Sequence, residues 1–316
     1  MNELDENIRS SKETSTEPSV PFFSIIIPTW NRPKQLRACL LSLAKMEYPP
    51  DRFEVIVVDD GSDPPIGAPE DRERLGRSVT WLRQVNAGPA AARNAGAAKA
   101  KGPYLAFTDD DCTPAPDWLR RLAGIFEGSP QALVGGHTIN ALSDNLYATA
   151  SQTIVQAAHE SFQAGYSRLQ FFASNNMAVR ADFFWAVGGF DPAFRTSEDR
   201  DLCDRWVRAG YRLMYASDAV IYHRHELTLV GFWRQHFNYG RGAYRFHRAR
   251  ARRGAGPFRP ELSFYRHVFR YPFSGGGHGR RWSLAMLFVL WQVANAAGFL
   301  WEKWWSGERQ TDERVP

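Results

Sequence analysis

The stretch FFSIIIPTWNRPKQLRACLLSLAKMEYPPDRFEVIVVDDGS (22–62) decides the fold. An apolar, β-branched run (22–28) leads into a segment that starts with Pro33 and repeats Leu36, Leu40 and Leu43 at helical spacing, and a second apolar run (53–60) follows. Further runs at 79–85, 104–110 and 131–136 are separated by the Ala-rich GPAAARNAGAAKAKG (88–102) and by PDWLRRLAGIFEG (116–128). Short apolar runs alternating with helices predict an α/β fold with a mostly parallel sheet and crossover helices, a short helix being expected between the second and third runs. Ligands of such sheets bind beyond the carboxyl ends of the strands.

Those ends are acidic here and carry no glycine fingerprint. PTWNRP (28–33) stands where a dinucleotide fold needs G-x-G-x-x-G, and no G-x-x-x-x-G-K-[ST] loop occurs, so nicotinamide hydride transfer and P-loop ATPase chemistry are disfavoured. Asp109, Asp110 and Asp111 follow the fourth run. Packing like charges there is unfavourable unless something positive joins them; Mg²⁺ or Mn²⁺, which prefer oxygen ligands, would relieve the repulsion. Asp59-Asp60-Gly61-Ser62 ends the second run and reads either as an Asx-type turn or as a carboxylate that meets a base N–H or a ribose hydroxyl. Arg93 can reach a phosphate or brace the acids. Glu198, Asp199 and Asp201 open a predicted helix closed by Gly210; acids there suit the helix dipole, yet one can act as general base. His223 and His225 follow a short apolar strand, and strand alternation is taken to turn at most one of them toward the site.

The chain has 316 residues and a net charge of +5, unevenly spread. Between Arg224 and Arg281 lie 13 Arg, no Lys and two acids, a tract of +11 that leaves −6 for the rest. Such asymmetry points to an anionic partner. The composition, 44% hydrophobic with 3 Cys, excludes disordered, collagen-like and disulfide-stapled classes, and the few spaced thiols fit a reducing compartment with no zinc pattern. Residues 1–20 read as a disordered polar tail, neither signal peptide nor anchor, so a cytoplasmic location is expected. SLAMLFVLWQVANAAGFLW (283–301) is uncharged and just long enough to span a bilayer, though Gln292 and Asn295 weaken that reading; a core helix is the alternative. Together with the Arg tract it suggests docking on the inner face of an anionic membrane, and nucleic acid is not expected as a partner.

SIIIPTWNR, VIVVDDGS, NAGPAAARNAG, FTDDD, SNNMAVR…VGGFD and SEDRDLCDRW, in this order over 22–226, closely resemble glycosyltransferase family 2. The resemblance implies a GT-A nucleotide-diphospho-sugar transferase fold over 21–226, followed by a basic helical extension over 227–316 whose apolar helix covers 283–305. It implies inverting transfer of a sugar from a nucleotide-sugar donor, a UDP-sugar as first guess, to a glycan or lipid-linked acceptor. Pro28, Thr29, Asn31, Arg32, Asp59, Arg93, Asp109 and Asp110 match donor-binding positions, with Asp59 on the base. Asp109 and Asp111 match the D-x-D acids, Asp111 binding Mg²⁺ or Mn²⁺ directly with Asp109 beside it and His223, or alternatively His225, completing the site. Asp199, flanked by Glu198, matches the catalytic base. Asn176, Gly188 and Gly189 fall where the family shapes the sugar and acceptor pocket. The Q-x-x-R-W motif of processive synthases is missing from RQHFNYGRG (234–242), which favours transfer of a single sugar. An inactive nucleotide- or lipid-binding module and a sugar-phosphate nucleotidyltransferase are the rival readings; the first is opposed by the presence of Asp109, Asp111 and Asp199, the second by PTWNRP.

Overall fold

Ile25 and Ile27 of the first strand pack on one side of a central sheet and Ile26 on the other, all without solvent exposure, which is why this run is continuously apolar. The computed structural model describes residues 20–66, 79–166, 169–274 and 280–312, with side chains to 305. Residues 1–19 of the expected tail (1–20), and residues 67–78, where a short helix is expected between the second and third strands, lie outside the described residues.

The first half contains β1 (Phe23–Thr29), α1 (Pro33–Leu43), β2 (Phe53–Asp59), β3 (Val79–Arg83), α2 (Pro89–Ala97), β4 (Tyr104–Thr108), β5 (Cys112–Pro114) and α3 (Trp118–Gly128). Then come β6 (Leu133–Asn140), α4 (Leu146–Gln163), β7 (Asn176–Arg180), α5 (Ala181–Ala186), α6 (Glu198–Arg208) and β8 (Leu213–His223). Helices α7 (Leu229–Arg250), α8 (Leu262–Ser274) and α9 (Arg281–Asp312) complete the chain. The sheet order is β3-β2-β1-β4-β7-β6-β8-β5. Its first four strands are parallel, as expected, but β7 enters between β4 and β6 running the other way, and β5 pairs antiparallel with β8, so the sheet as a whole is mixed.

Register places the chemistry. Thr29 lies opposite Asp59 at the tips of β1 and β2, and β4 ends alongside them just before Asp109. Cys112 lies opposite His223, which draws the end of β8 beside Asp111. The backbone N–H of Arg224 donates to the Asp111 carbonyl at 2.8 Å and fixes that approach.

The C-terminal helices are built into the molecule. Leu227, Phe232, Val268, Leu287, Phe288 and Trp291 form one buried cluster with Ala150, Ile154 and Ala157 of α4. Where α7 and α9 cross, a Cβ on Gly240 would lie 2.1 Å from the Asn295 carbonyl oxygen, and one on Gly298 would lie 1.9 Å from that of Phe237. The two backbones therefore touch. Glu302, 1% exposed, receives Arg241 at 2.8 Å and Arg245 at 2.7 Å. Arg250 reaches Asp204 at 2.8 Å and Arg253 pairs with Asp201, both acids of α6. Four of the thirteen arginines of the tract thus join elements of the fold rather than standing free. Residues 281–305 pass by length and composition for a span, yet α9 lies along α7 with one face packed and leaves Trp282, Met286, Val289, Val293, Leu300 and Trp304 exposed on the other.

Candidate functional site

A cleft of about 1910 Å³ opens at the carboxyl ends of β1 and β4 and extends to the C-terminal helices. Typical small-molecule sites measure about 300–1,000 Å³. The space therefore exceeds what one nucleotide-sized ligand fills.

On the sheet side, Asp109, Asp110 and Asp111 have separate partners. Asp110 is buried, accepts a hydrogen bond from the Thr29 hydroxyl at 2.8 Å and meets Arg32 at 3.3 Å. Burial raises its pKa to about 6 even against Arg32. Asp111 meets Arg32 at 2.9 Å and His223 Nε2 at 3.3 Å. Burial works against its charge, but the His223 hydrogen bond, the His223 charge and Arg32 outweigh it and hold the pKa down at about 2. Asp109 turns away to Arg93 at 2.6 Å.

Asp111, His223 and His225 offer three ligand atoms within 4.8 Å of one another. Both histidines share this face. Residues two apart on an extended chain point the same way, so the expectation that at most one faces the site is corrected. Asp109, expected beside the ion, is not a member of this cluster, because Arg93 claims its carboxylate. One carboxylate with two imidazoles is a donor set suited to Mn²⁺, and less to Mg²⁺, which prefers oxygen throughout.

On the opposite lip stand Glu198 and Asp199 at the start of α6. Ser197 before them holds φ +72°, a left-handed conformation that only surrounding structure can impose on a serine. Helix α7 imposes it by close passage: a Cβ on Gly242 would come within 2.2 Å of Thr196 Oγ1 and 2.7 Å of Ser197 Oγ. Glu198 receives Arg93 at 2.9 Å, so one buried guanidinium ties it to Asp109. Burial, then the Asp199 charge, pushes Glu198 up to about 7 despite Arg93. Asp199 is also raised by burial, against the pull of Arg200; one carboxylate oxygen accepts the Arg200 N–H at 2.7 Å, and the residue lines the cleft.

Other expected site residues are turned elsewhere. Asp59, 1% exposed, accepts from the N–H of Ser62 at 2.9 Å and of Ile66 at 3.3 Å, which is the Asx-type turn reading, while Asp60 lines the cleft. Asn31 ties its loop to that turn through Ser62 and Asp63. Asn176 spends its amide on Trp118, His137 and Ala219 behind the cleft, where Asn175 takes a place in the wall. Gly188 and Gly189, at φ +88° and +64°, make a turn whose Gly189 carbonyl accepts from Arg205 at 2.6 Å; neither lines the cleft. Pro28, Thr29 and Arg32 do line it. Sequence reasoning missed Trp30, which lines the mouth at 54% exposure, and Arg200, His236 and Tyr239 in the far wall. A Trp in a polar strand-end loop was a signal for the first; the others have none short of the packing of α7.

An eight-stranded mixed sheet flanked by helices, with a cleft at the carboxyl ends of its parallel strands, has the architecture of a GT-A fold. Residues 24–188 match the model of glycosyl transferase family 2, and the chain belongs to that family, and with it to the transferases. The chain is 30% identical over 206 residues to the glycosyltransferase AglE of Haloferax volcanii, covering 64% of this chain and 66% of that protein. It is 32% identical over 222 residues to the pre-mycofactocin glycosyltransferase of Mycobacterium tuberculosis, covering 67% and 44%. The chain thus spans between under half and just under two thirds of the length of these relatives. In fold it is similar to a mannosyltransferase of Pyrobaculum calidifontis solved with GDP-Man and Mn²⁺, at TM-score 0.64 and 18% identity over 90% of this chain and 88% of that one. GalNAc-T7 with UDP, GalNAc and Mn²⁺ is similar at TM-score 0.55 and 16% identity, covering 90% and 56%.

Proposed function

We propose that the chain is a non-processive, inverting glycosyltransferase that moves one sugar from a nucleoside-diphosphate sugar, a UDP-sugar as first choice, to a hydroxyl of a glycan or lipid-linked acceptor. The observation that carries this reading is the division of labour between Glu198 and Asp199. Arg93 engages Glu198, which leaves the raised-pKa carboxylate of Asp199 facing the cleft across from Asp111, His223 and His225. Relatives named as glycosyltransferases, and structural neighbours solved with GDP-Man or UDP and Mn²⁺, support a nucleotide-sugar donor.

Asp111, His223 and His225 would hold Mn²⁺, with Mg²⁺ the weaker fit. A divalent ion there supplies neutralisation of the charge that develops on the leaving diphosphate, worth several kcal/mol. Arg32, paired with Asp110 and Asp111, is half-exposed and free to follow an anionic donor. Arg93 keeps Asp109 and Glu198 in fixed positions so that the donor loop and the base loop do not separate. Asp199 accepts the proton of the acceptor hydroxyl as that oxygen bonds to the anomeric carbon from the face opposite the leaving group. The electron pair of the broken C–O bond departs with the nucleoside diphosphate. Such a base contributes about 10²–10⁴ in rate.

We place the enzyme at the inner face of a membrane. The exposed apolar row of α9, flanked by Arg280, Arg281 and Lys303, suits a helix lying in the interface rather than crossing it, because its other face is held by α7. The test is incubation with UDP- and GDP-sugars: Mn²⁺-dependent release of nucleoside diphosphate without pyrophosphate is expected. Release of pyrophosphate from a nucleoside triphosphate and a sugar 1-phosphate, with no nucleoside diphosphate released from the nucleotide sugars, would instead make the protein a nucleotidyltransferase.

A further inference from the structure

The cleft exceeds what one donor fills, and beyond Asp199 its lining includes two side chains, Arg200 and His236, that make no side-chain hydrogen bond among the described residues. Arg200 lines it with its guanidinium stacked on the Phe171 ring at 4.3 Å, and among the described residues that guanidinium makes no hydrogen bond or ion pair. Its neighbours in the wall include Tyr239 and Tyr265. His236 of α7 is 2% exposed, lines the same space and, among the described residues, has neither ring nitrogen hydrogen-bonded. A buried polar group without a partner costs about 1–3 kcal/mol, so a histidine kept in that state awaits a ligand. It carries an N–H donor and a lone pair, and its titratable and charged neighbours are His225 of the metal cluster and the Arg200 cation. The wall then turns apolar through Phe258 and Phe299 to Leu300, which lines the cleft and is 61% exposed within the outward apolar row of α9. One mouth of the cleft therefore opens on the face that would meet a membrane.

We propose that this half of the cleft is an acceptor subsite for a lipid phosphate, with the phosphate held between Arg200 and His236 and the chain leaving past Phe299 and Leu300. A guanidinium stacked on an aromatic ring is oriented in advance for a phosphate. The apolar exit answers to a hydrocarbon chain, which separates a lipid-borne phosphate from a soluble sugar phosphate. The inference rests on the transferase reading above for the meaning of "acceptor".

The experiment titrates farnesyl phosphate, farnesol and N-acetylglucosamine 1-phosphate into the full chain saturated with UDP and Mn²⁺, by calorimetry. Farnesyl phosphate is expected to bind at least about tenfold more tightly than either of the others, the worth of one charge-assisted contact or of a buried chain. Arg200→Gln and His236→Leu are each expected to weaken it about tenfold, while UDP affinity is unchanged. His236→Leu is further expected to keep or raise the melting temperature, which a structural role for the imidazole would not allow. Equal binding of farnesol would remove the phosphate site, and equal binding of the sugar phosphate would remove the lipid. Loss of UDP affinity in Arg200→Gln would assign that residue to the donor and overturn the proposal. Failure of UDP to bind the unaltered protein would instead sink the transferase reading, an outcome distinct from the others.

Discussion

Glu198 and Asp199 are adjacent in sequence, yet Arg93 pairs with only the first, and the proposed division of labour rests on that difference. Arg93→Ala would leave Asp109 and Glu198 without their shared cation, a loss of about 3–5 kcal/mol for a broken buried pair. Glu198 already titrates near 7, and it can discharge itself by taking a proton, so denaturant melts should show a smaller loss at pH 6 than at pH 8. The same burial sets a kinetic expectation. A base works only unprotonated; a raised Asp199 pKa means that the working form is lost at a higher pH than for an exposed aspartate. The acid limb of kcat/KM should therefore lie above the ordinary aspartate range and move to lower pH in Glu198→Gln, which removes a neighbouring negative charge; an unmoved limb would mean that the two carboxylates do not titrate together. Sequence spacing singled out these acids, Arg93 and Asp111, which the fold brings to one cleft. It did not show that Asp59 and Asn176 hydrogen-bond to neighbouring groups of the chain, since a motif position says nothing about which hydrogen bonds a side chain makes.

Helix α7 packs closely against Thr196 and Ser197, just before the proposed base, and carries part of the far wall of the cleft. Gly240→Ala alone would gain about 0.5–1 kcal/mol in an unobstructed helix. Here the added Cβ meets the Asn295 carbonyl at 2.1 Å, so the helices must part. An overpacking loss of about 1–3 kcal/mol is expected, a fall of roughly 2–4 °C in melting temperature per kcal/mol for a domain of this order. A rise in melting temperature would show that α7 and α9 do not cross there. None of this was legible from the sequence, in which NYGRG (238–242) carries no register between helices far apart in the chain. Strands β1, β2 and β4 were legible because each is a largely apolar run buried on both faces. The reversal of β7 and the β5–β8 pairing were not, since both are long-range choices made by packing, and it is the latter that brings His223 and His225 to Asp111.

Across the whole molecule, the net charge of +5 conceals an acidic cleft and an arginine-rich C-terminal part, as the sequence indicates. The structure changes what those arginines do: Arg241, Arg245, Arg250 and Arg253 hold helices together, and the apolar row of α9 is left as the larger share of any membrane contact. Liposome pelleting should accordingly fall more in Met286→Glu/Val293→Glu than in 0.5 M salt, about the ionic strength at which electrostatic attraction is screened within a few ångströms; the reverse ranking would restore the charge-led account. The central claim concerns Asp199 as base beside a nucleotide-sugar donor. Its most direct test compares turnover and UDP binding, with Mn²⁺, in the unaltered protein and Asp199→Asn. Turnover should drop by about 10²–10⁴ while UDP affinity stays within about twofold; an Asp199→Asn protein that kept near-full turnover would contradict the account.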